Sequence, residues 1–204
     1  MTDNTLSAVI GVSSAMLGGI LGFMAAIFAE PVRRLIYRPS LKLEFDSSEG
    51  CNALTPEGIP STHKAYYIRV KVTNMKPTIA EHCRAYLVAI DKKDETSNRF
   101  VPTIYCDSIQ LAWSCRKEGE AYTATDLSKG LTQFVDLVST RDDINYYRPA
   151  IYFTPFRYMP IFQEQGTFRF TVQVSGGNFN PKLIRVVFDW HGVWDKYTAR
   201  CSQA

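Results

Sequence analysis

The chain has 204 residues, 46% of them hydrophobic, with 23 Lys and Arg against 20 Asp and Glu for a formal charge of +3. That length suffices for one domain with its own core, and the absence of a long basic block argues against nucleic acid as a partner. Five cysteines, odd in number and without C-x-x-C spacing, argue against an exported disulfide framework.

The first element in chain order is the run Leu6 to Ala29, which contains no Asp, Glu, Lys, Arg or His and is bounded by Asp3 and by Glu30-Pro31. A helix rises about 1.5 Å per residue, so roughly 20 apolar residues cross a bilayer core of about 30 Å. The run predicts one N-terminal transmembrane α-helix within residues 1–30, followed by a basic juxtamembrane linker over 31–40. The leader carries no Lys or Arg, unlike the basic start of a cleaved secretory signal. Positive charge gathers only on the other flank, at Arg33, Arg34, Arg38 and Lys42. Such flanks face the cytoplasm. The expectation is a single-pass protein of the inner membrane, N-terminus outside and soluble domain cytoplasmic, with those four cations at the lipid surface. Unpaired cysteines suit the same reducing compartment. Ser14, Gly18, Gly22 and Ala26 recur at four-residue steps, which stacks small side chains on one helix face. They are the expected contact with a second copy or a larger membrane protein.

Residues 41–204 read as strands. Period-two alternation marks Leu41 to Asp46, Tyr66 to Thr73, Ile109 to Ser114, Phe168 to Ser175 and Ile184 to Trp190. Cys83 to Ile90 is apolar on both faces and reads as a central strand; Phe134 to Val138 is a weaker one. Short helical pieces are expected near Ile79 to Cys83 and Asp126 to Gly130, and loops over Asp46 to His63 and Asp91 to Arg99. Ser175-Gly176-Gly177-Asn178-Phe179-Asn180-Pro181 joins two alternating runs as a hairpin loop, because Gly and Asn accept positive φ. Seven or more short strands separated by turn signals predict an all-β antiparallel sandwich.

Tyr66-Tyr67-Ile68-Arg69-Val70-Lys71-Val72-Thr73-Asn74, followed by Ala80, Cys83 and Leu87, resembles an early hairpin of many bacterial immunoglobulin-like domains. There an alternating strand ends at Asn, and a turn and a small residue lead into the next strand. Here Lys76-Pro77 occupies the turn. The layout of helix, basic proline-containing joint and sandwich resembles uncharacterised bacterial membrane-anchored proteins with an immunoglobulin-like β-sandwich domain. The resemblance implies a fold and a setting, with no catalytic residues to transfer.

No motif carries chemistry. His63, His82 and His191 lack the i+3 or i+4 spacing of a helical metal pair. Any cysteine could be combined with His191 and Asp195, but no nucleophile motif accompanies them. Most cysteines fall in apolar strand patterns, where they read as small buried hydrophobes. Asp142-Asp143 and the acids near Asp94 read as solvated loop carboxylates, and Gly176-Gly177 lacks the Lys-Ser/Thr of a phosphate loop. Catalysis, cofactor and metal are therefore not expected.

Two aromatic features remain. The segment from Tyr146 to Phe162 mixes Tyr147, Tyr152, Phe153, Phe156, Arg157 and Tyr158 with Pro149, Pro155 and Pro160. Its composition fits a protein-interaction surface, with Tyr147, Arg157 and Tyr158 as candidates, against the plainer reading of packing under a long loop. Near the end of the last alternating run, Trp190 continues the inward face, while His191 and Trp194 are freer to line a binding edge. The expected role is a protein-interaction or assembly module at the membrane, an accessory or sensor subunit of a larger system. The rival classes are a membrane-tethered enzyme with a site built from loops, and a sandwich that binds lipid or a small ligand between its sheets.

Overall fold

Alternating side chains become strands on both sides of one aromatic core. The computed structural model describes residues 19, 22–24, 26–29, 37–46, 50–57, 62–117 and 119–202, and the chain divides into two units, Met1–Arg38 and Pro39–Ala204. In the first, residues 22–24 and 26–29 are helical, and Phe23, Met24, Ile27 and Phe28 are exposed. A Cβ on Gly22 would meet nothing within 4 Å. Ser14, Gly18, Arg33 and Arg34 lie outside the described residues. Among the described residues no helix is long and apolar enough to cross a membrane.

The second unit is two antiparallel sheets, consistent with a β-sandwich. One contains β1 (Leu41–Glu44), β2 (Asn52–Glu57), β3 (His63–Asn74), β8 (Thr132–Arg141) and β9 (Arg148–Pro149). Here β1 and β2 share one edge of β3, with β8 and then β9 on the other. The second sheet runs β12 (Lys196–Cys201), β11 (Lys182–Val193), β10 (Gly166–Ser175) and β4 (Ala80–Lys93). The far edge of β4 is divided among β5 (Phe100–Pro102), β6 (Ile109–Gln110) and β7 (Thr125–Leu127). Beyond β6 the chain crosses between sheets: Leu111 bridges Ile151, and Trp113 bridges Val135 on β8.

The runs in β3, β10 and β11 form strands as expected. Ile109 to Ser114, in contrast, is a strand only over Ile109–Gln110, because Leu111 and Trp113 leave for the other sheet. Ser175 to Pro181 is the hairpin loop between β10 and β11. Gly176 is required there, since a Cβ would stand 2.5 Å from the Glu81 carbonyl oxygen. The central strand β4 carries a bulge. Ala89 pairs with Thr171 but Leu87 with Val172, so Val88 is the extra residue. The bulge lets Ala85, Leu87 and Ile90 all be buried despite their changed parity.

Several expectations are corrected. Ile79 to Cys83 is the irregular start of β4, with His82 at φ 53°, and not a helix. Asp126 to Gly130 is the end of β7 and a turn that Gly130 closes at φ 73°. The loop assigned to Asp46 to His63 contains β2, an edge strand without alternation, and β12 follows the last expected strand. Cys51 and Cys83 are buried, but Cys106, Cys115 and Cys201 are exposed, so most cysteines are not core.

The space between the sheets is filled by Tyr147, whose ring lies 5.4 to 6.0 Å from those of Phe162, Phe168, Phe170, Phe188 and Trp190. Burial of each such side chain stabilises by about 1.5–3 kcal/mol, and each edge-on or tilted pair adds about 0.5–1.5 kcal/mol.

Candidate interaction surface

The proline-rich segment is an arm that closes one open side of the sandwich. Its backbone is fixed at the start, because Ala150 N–H donates to Leu137 O at 3.0 Å and Tyr152 N–H to Gln110 O at 2.8 Å. Tyr122 Oη donates to Ile151 O at 3.1 Å, and its ring meets Tyr152 edge-on at 5.0 Å. Pro155 then precedes a 3-10 turn, Phe156–Tyr158, that runs into α1 (Met159–Gln163) with Pro160 in its first turn. Proline suits both places, since its φ is preset and it has no N–H to satisfy.

Tyr158 is the pin of the arm. It is fully buried, and its ring lies 4.7 Å from that of Tyr105. Its hydroxyl donates to Asp107 Oδ2 at 2.6 Å and accepts from Arg157 Nη2 at 2.7 Å and from the Cys106 N–H at 3.4 Å. Arg157 also donates to Asp107 and lies over the Tyr158 ring. The Tyr158 hydroxyl and the Arg157 guanidinium hold the Asp107 carboxyl below the usual carboxylate range. Burial, then the Asp107 carboxylate, pushes the Tyr158 phenol up.

Of the sequence candidates, Arg157 is exposed, but Tyr158 is corrected: it is wholly buried beneath Arg157 and offers no surface of its own. Tyr147 is corrected: it is wholly buried, with its hydroxyl donating to Ile161 O at 3.0 Å. Burial raises its phenol well above the ordinary value. Trp194, expected at a separate binding edge, is half-buried. It stacks on Tyr66 of β3 at 5.4 Å, and its carbonyl accepts from Thr140 Oγ1 at 2.7 Å. Trp190 is core, as expected. The exposed side chains are others: Phe156 at 90%, Phe153 at 65%, and Tyr152 and Ile104 beside them in exposure. Aromatic residues amid prolines were visible in the sequence, but nothing in their spacing separates inward Tyr147 from outward Phe156. Arg38 and Lys42, expected at a lipid surface, are both exposed, and Lys42 pairs with Glu44 at 2.6 Å.

Two other clusters have chemistry-bearing side chains. An open groove of about 1280 Å³ is lined by Thr167, Asp189 and His191 among others. Thr167 Oγ1 donates to Asp189 at 3.0 Å, and His191 Nε2 lies 3.6 Å from the same carboxylate. The carboxylate stands between hydroxyl and imidazole, whereas activation of a nucleophile needs the base against the hydroxyl. At the other cluster, ligand atoms of His63, Asp142 and Asp143 lie within 4.8 Å of one another. Arg141 donates to both Asp143 oxygens and reaches Glu57, and it is Arg141 first, then His63, that lowers the Asp143 pKa. At Asp143 a guanidinium already supplies the charge compensation that a cation would give. Burial, with a smaller push from Asp126, raises the Cys83 thiol to about 12, so it stays protonated and inert.

No protein-family model matches this chain, and no curated protein matches its sequence.

Proposed function

We propose that the chain is a membrane-anchored protein-interaction module whose immunoglobulin-like sandwich presents the arm from Tyr152 to Arg157 to a protein partner. It serves as an accessory or sensor subunit of a larger membrane-associated system, tethered by Leu6 to Ala29 with the sandwich on the cytoplasmic side. The observation that carries the reading is the pairing of exposed Phe153 and Phe156 with a backbone pinned by buried Tyr158. Rigid aromatic anchors give large contact area at little ordering cost. Interfaces are enriched in aromatic residues and Arg and depleted in Lys. No lysine lies between Lys129 and Lys182, while the arm carries Arg157, with Arg148 just before it in β9. The apolar run, its basic flank and the small-residue row support the tether and a second contact through the helix.

The test is co-purification from native membranes. Phe153→Ser and Phe156→Ser each remove an exposed ring and leave the core intact, so they are expected to lose the partner while the melting temperature holds. An unchanged set of co-purifying proteins with both variants would sink the reading.

A further inference from the structure

A second exposed patch lies at the end of the sandwich where the chain enters it. Four segments meet there and are tied together by two asparagines. Asn74, fully buried, donates from Nδ2 to Thr78 O at 2.7 Å and to Leu127 O at 2.8 Å, while its Oδ1 accepts the Lys76 N–H at 3.1 Å. Its own carbonyl accepts the Gly130 N–H at 2.8 Å. Asn178 of the β10–β11 loop accepts the Glu81 N–H at 3.1 Å and donates to Ile79 O at 2.9 Å. Ser40, just before β1, accepts the Met75 N–H at 2.9 Å. The β3–β4 turn, the β7–β8 turn, the β10–β11 loop and the entry to β1 therefore form one platform.

That platform is apolar and basic at once. Met75, Ile79, Leu131 and Leu183 are 42% to 60% exposed. Lys76 and Lys129 in two of the turns and Lys182 at the start of β11 are exposed, and among the described residues no carboxylate pairs with any of them. The facing carboxylates are Glu81 and Asp126, the second accepting the His82 N–H. His82 is exposed beside them. The apolar side chains are aliphatic and carry no hydrogen-bonding groups, which suits acyl chains. Free lysines suit headgroup phosphates, at about 1 kcal/mol each near an anionic surface. Arg33, Arg34 and Arg38 and the run Leu6 to Ala29 precede Ser40 in the sequence, and Ser40 itself belongs to the platform.

We infer that this end is a docking surface for an anionic bilayer, with Met75, Ile79 and Leu131 entering the headgroup boundary and Lys76, Lys129 and Lys182 meeting phosphate. The inference extends the membrane reading above, but a spanning helix and a docked domain are separable. The full-length chain is reconstituted with phosphatidylcholine vesicles, with and without phosphatidylglycerol, and hydrogen exchange is followed in residues 75–79, 128–131 and 178–183. Protection of all three segments is expected only with phosphatidylglycerol. K76Q/K129Q/K182Q is expected to lower the docked-to-free ratio roughly a hundredfold, the equivalent of about 1 kcal/mol per lysine. Carbonate extraction in parallel reports on the helix. Release by carbonate with the loops still protected removes the spanning helix and upholds the docking end. Equal exchange in the two vesicles, no effect of the triple variant, or protection that needs an added protein overturns the docking end.

Discussion

The arm and the loop platform both leave apolar side chains in water, yet their chemistry differs. On the arm the exposed groups are aromatic, the arginine is held by Asp107, and lysine is absent. On the platform they are aliphatic, and the cations are lysines with no carboxylate partner among the described residues. A protein interface gains from rigid rings and from charges whose geometry is already set. An anionic membrane rewards unfixed positive charge and hydrocarbon without polar atoms. The two patches are pinned alike, each by one buried polar side chain: Tyr158 under the arm and Asn74 under the platform. The comparison teaches that exposure alone does not name a partner; the accompanying charge does.

Variants break this comparison at different depths. The largest effect is expected at Tyr147, which belongs to the core and not to the arm's surface. Tyr147→Ala should cost about 3–5 kcal/mol by denaturant unfolding. Tyr147→Phe, which loses only the bond to Ile161 O, should cost about 1 kcal/mol. Next comes Asn74→Ala, which strips partners from the Thr78 and Leu127 carbonyls. About 2–3 kcal/mol of stability should go with it, together with faster hydrogen exchange in all the loops of the platform.

Smaller changes sharpen the arm. Phe156→Ser should weaken partner binding roughly thirtyfold, about 2 kcal/mol, and alter unfolding by less than about 0.5 kcal/mol. The smallest effect concerns pH. Asp107 has a lowered pKa through Tyr158 and Arg157. Its contribution is complete above the ordinary carboxylate value and lost as pH falls through the lowered one. Partner affinity should therefore hold down to the ordinary carboxylate range and then decline, and Asp107→Asn should remove that step from a binding titration. An identical acid profile for wild type and Asp107→Asn would detach the arm from its pin.

Much of the sandwich was legible because β3, β10 and β11 bury mainly one face each, Thr171 and Val187 being buried on the other, which writes a period of two into the sequence. The edge strands were not. β2 has no buried side chain, includes Pro56, and is a strand because β3 offers it hydrogen bonds. β12 likewise has none of its residues fully buried and rests on β11 after the Trp194-Asp195 turn, just past the irregularity at Gly192. The arm was legible as a composition but not as a geometry. Which ring turns inward depends on Asp107, far away in sequence, and on Phe168, Phe188 and Trp190 of the opposite sheet. The setting of Trp194 was hidden for a similar reason: its ring stacks on Tyr66, distant along the chain.

The most direct test of the arm as a partner surface places a photocrosslinking phenylalanine at position 156 in the full chain, with a control at exposed Thr198. After irradiation of native membranes, one dominant protein adduct is expected from position 156, absent from 198 and lost when Phe153→Ser is added. The same adducts from both positions, or lipid as the main adduct at 156, would contradict it.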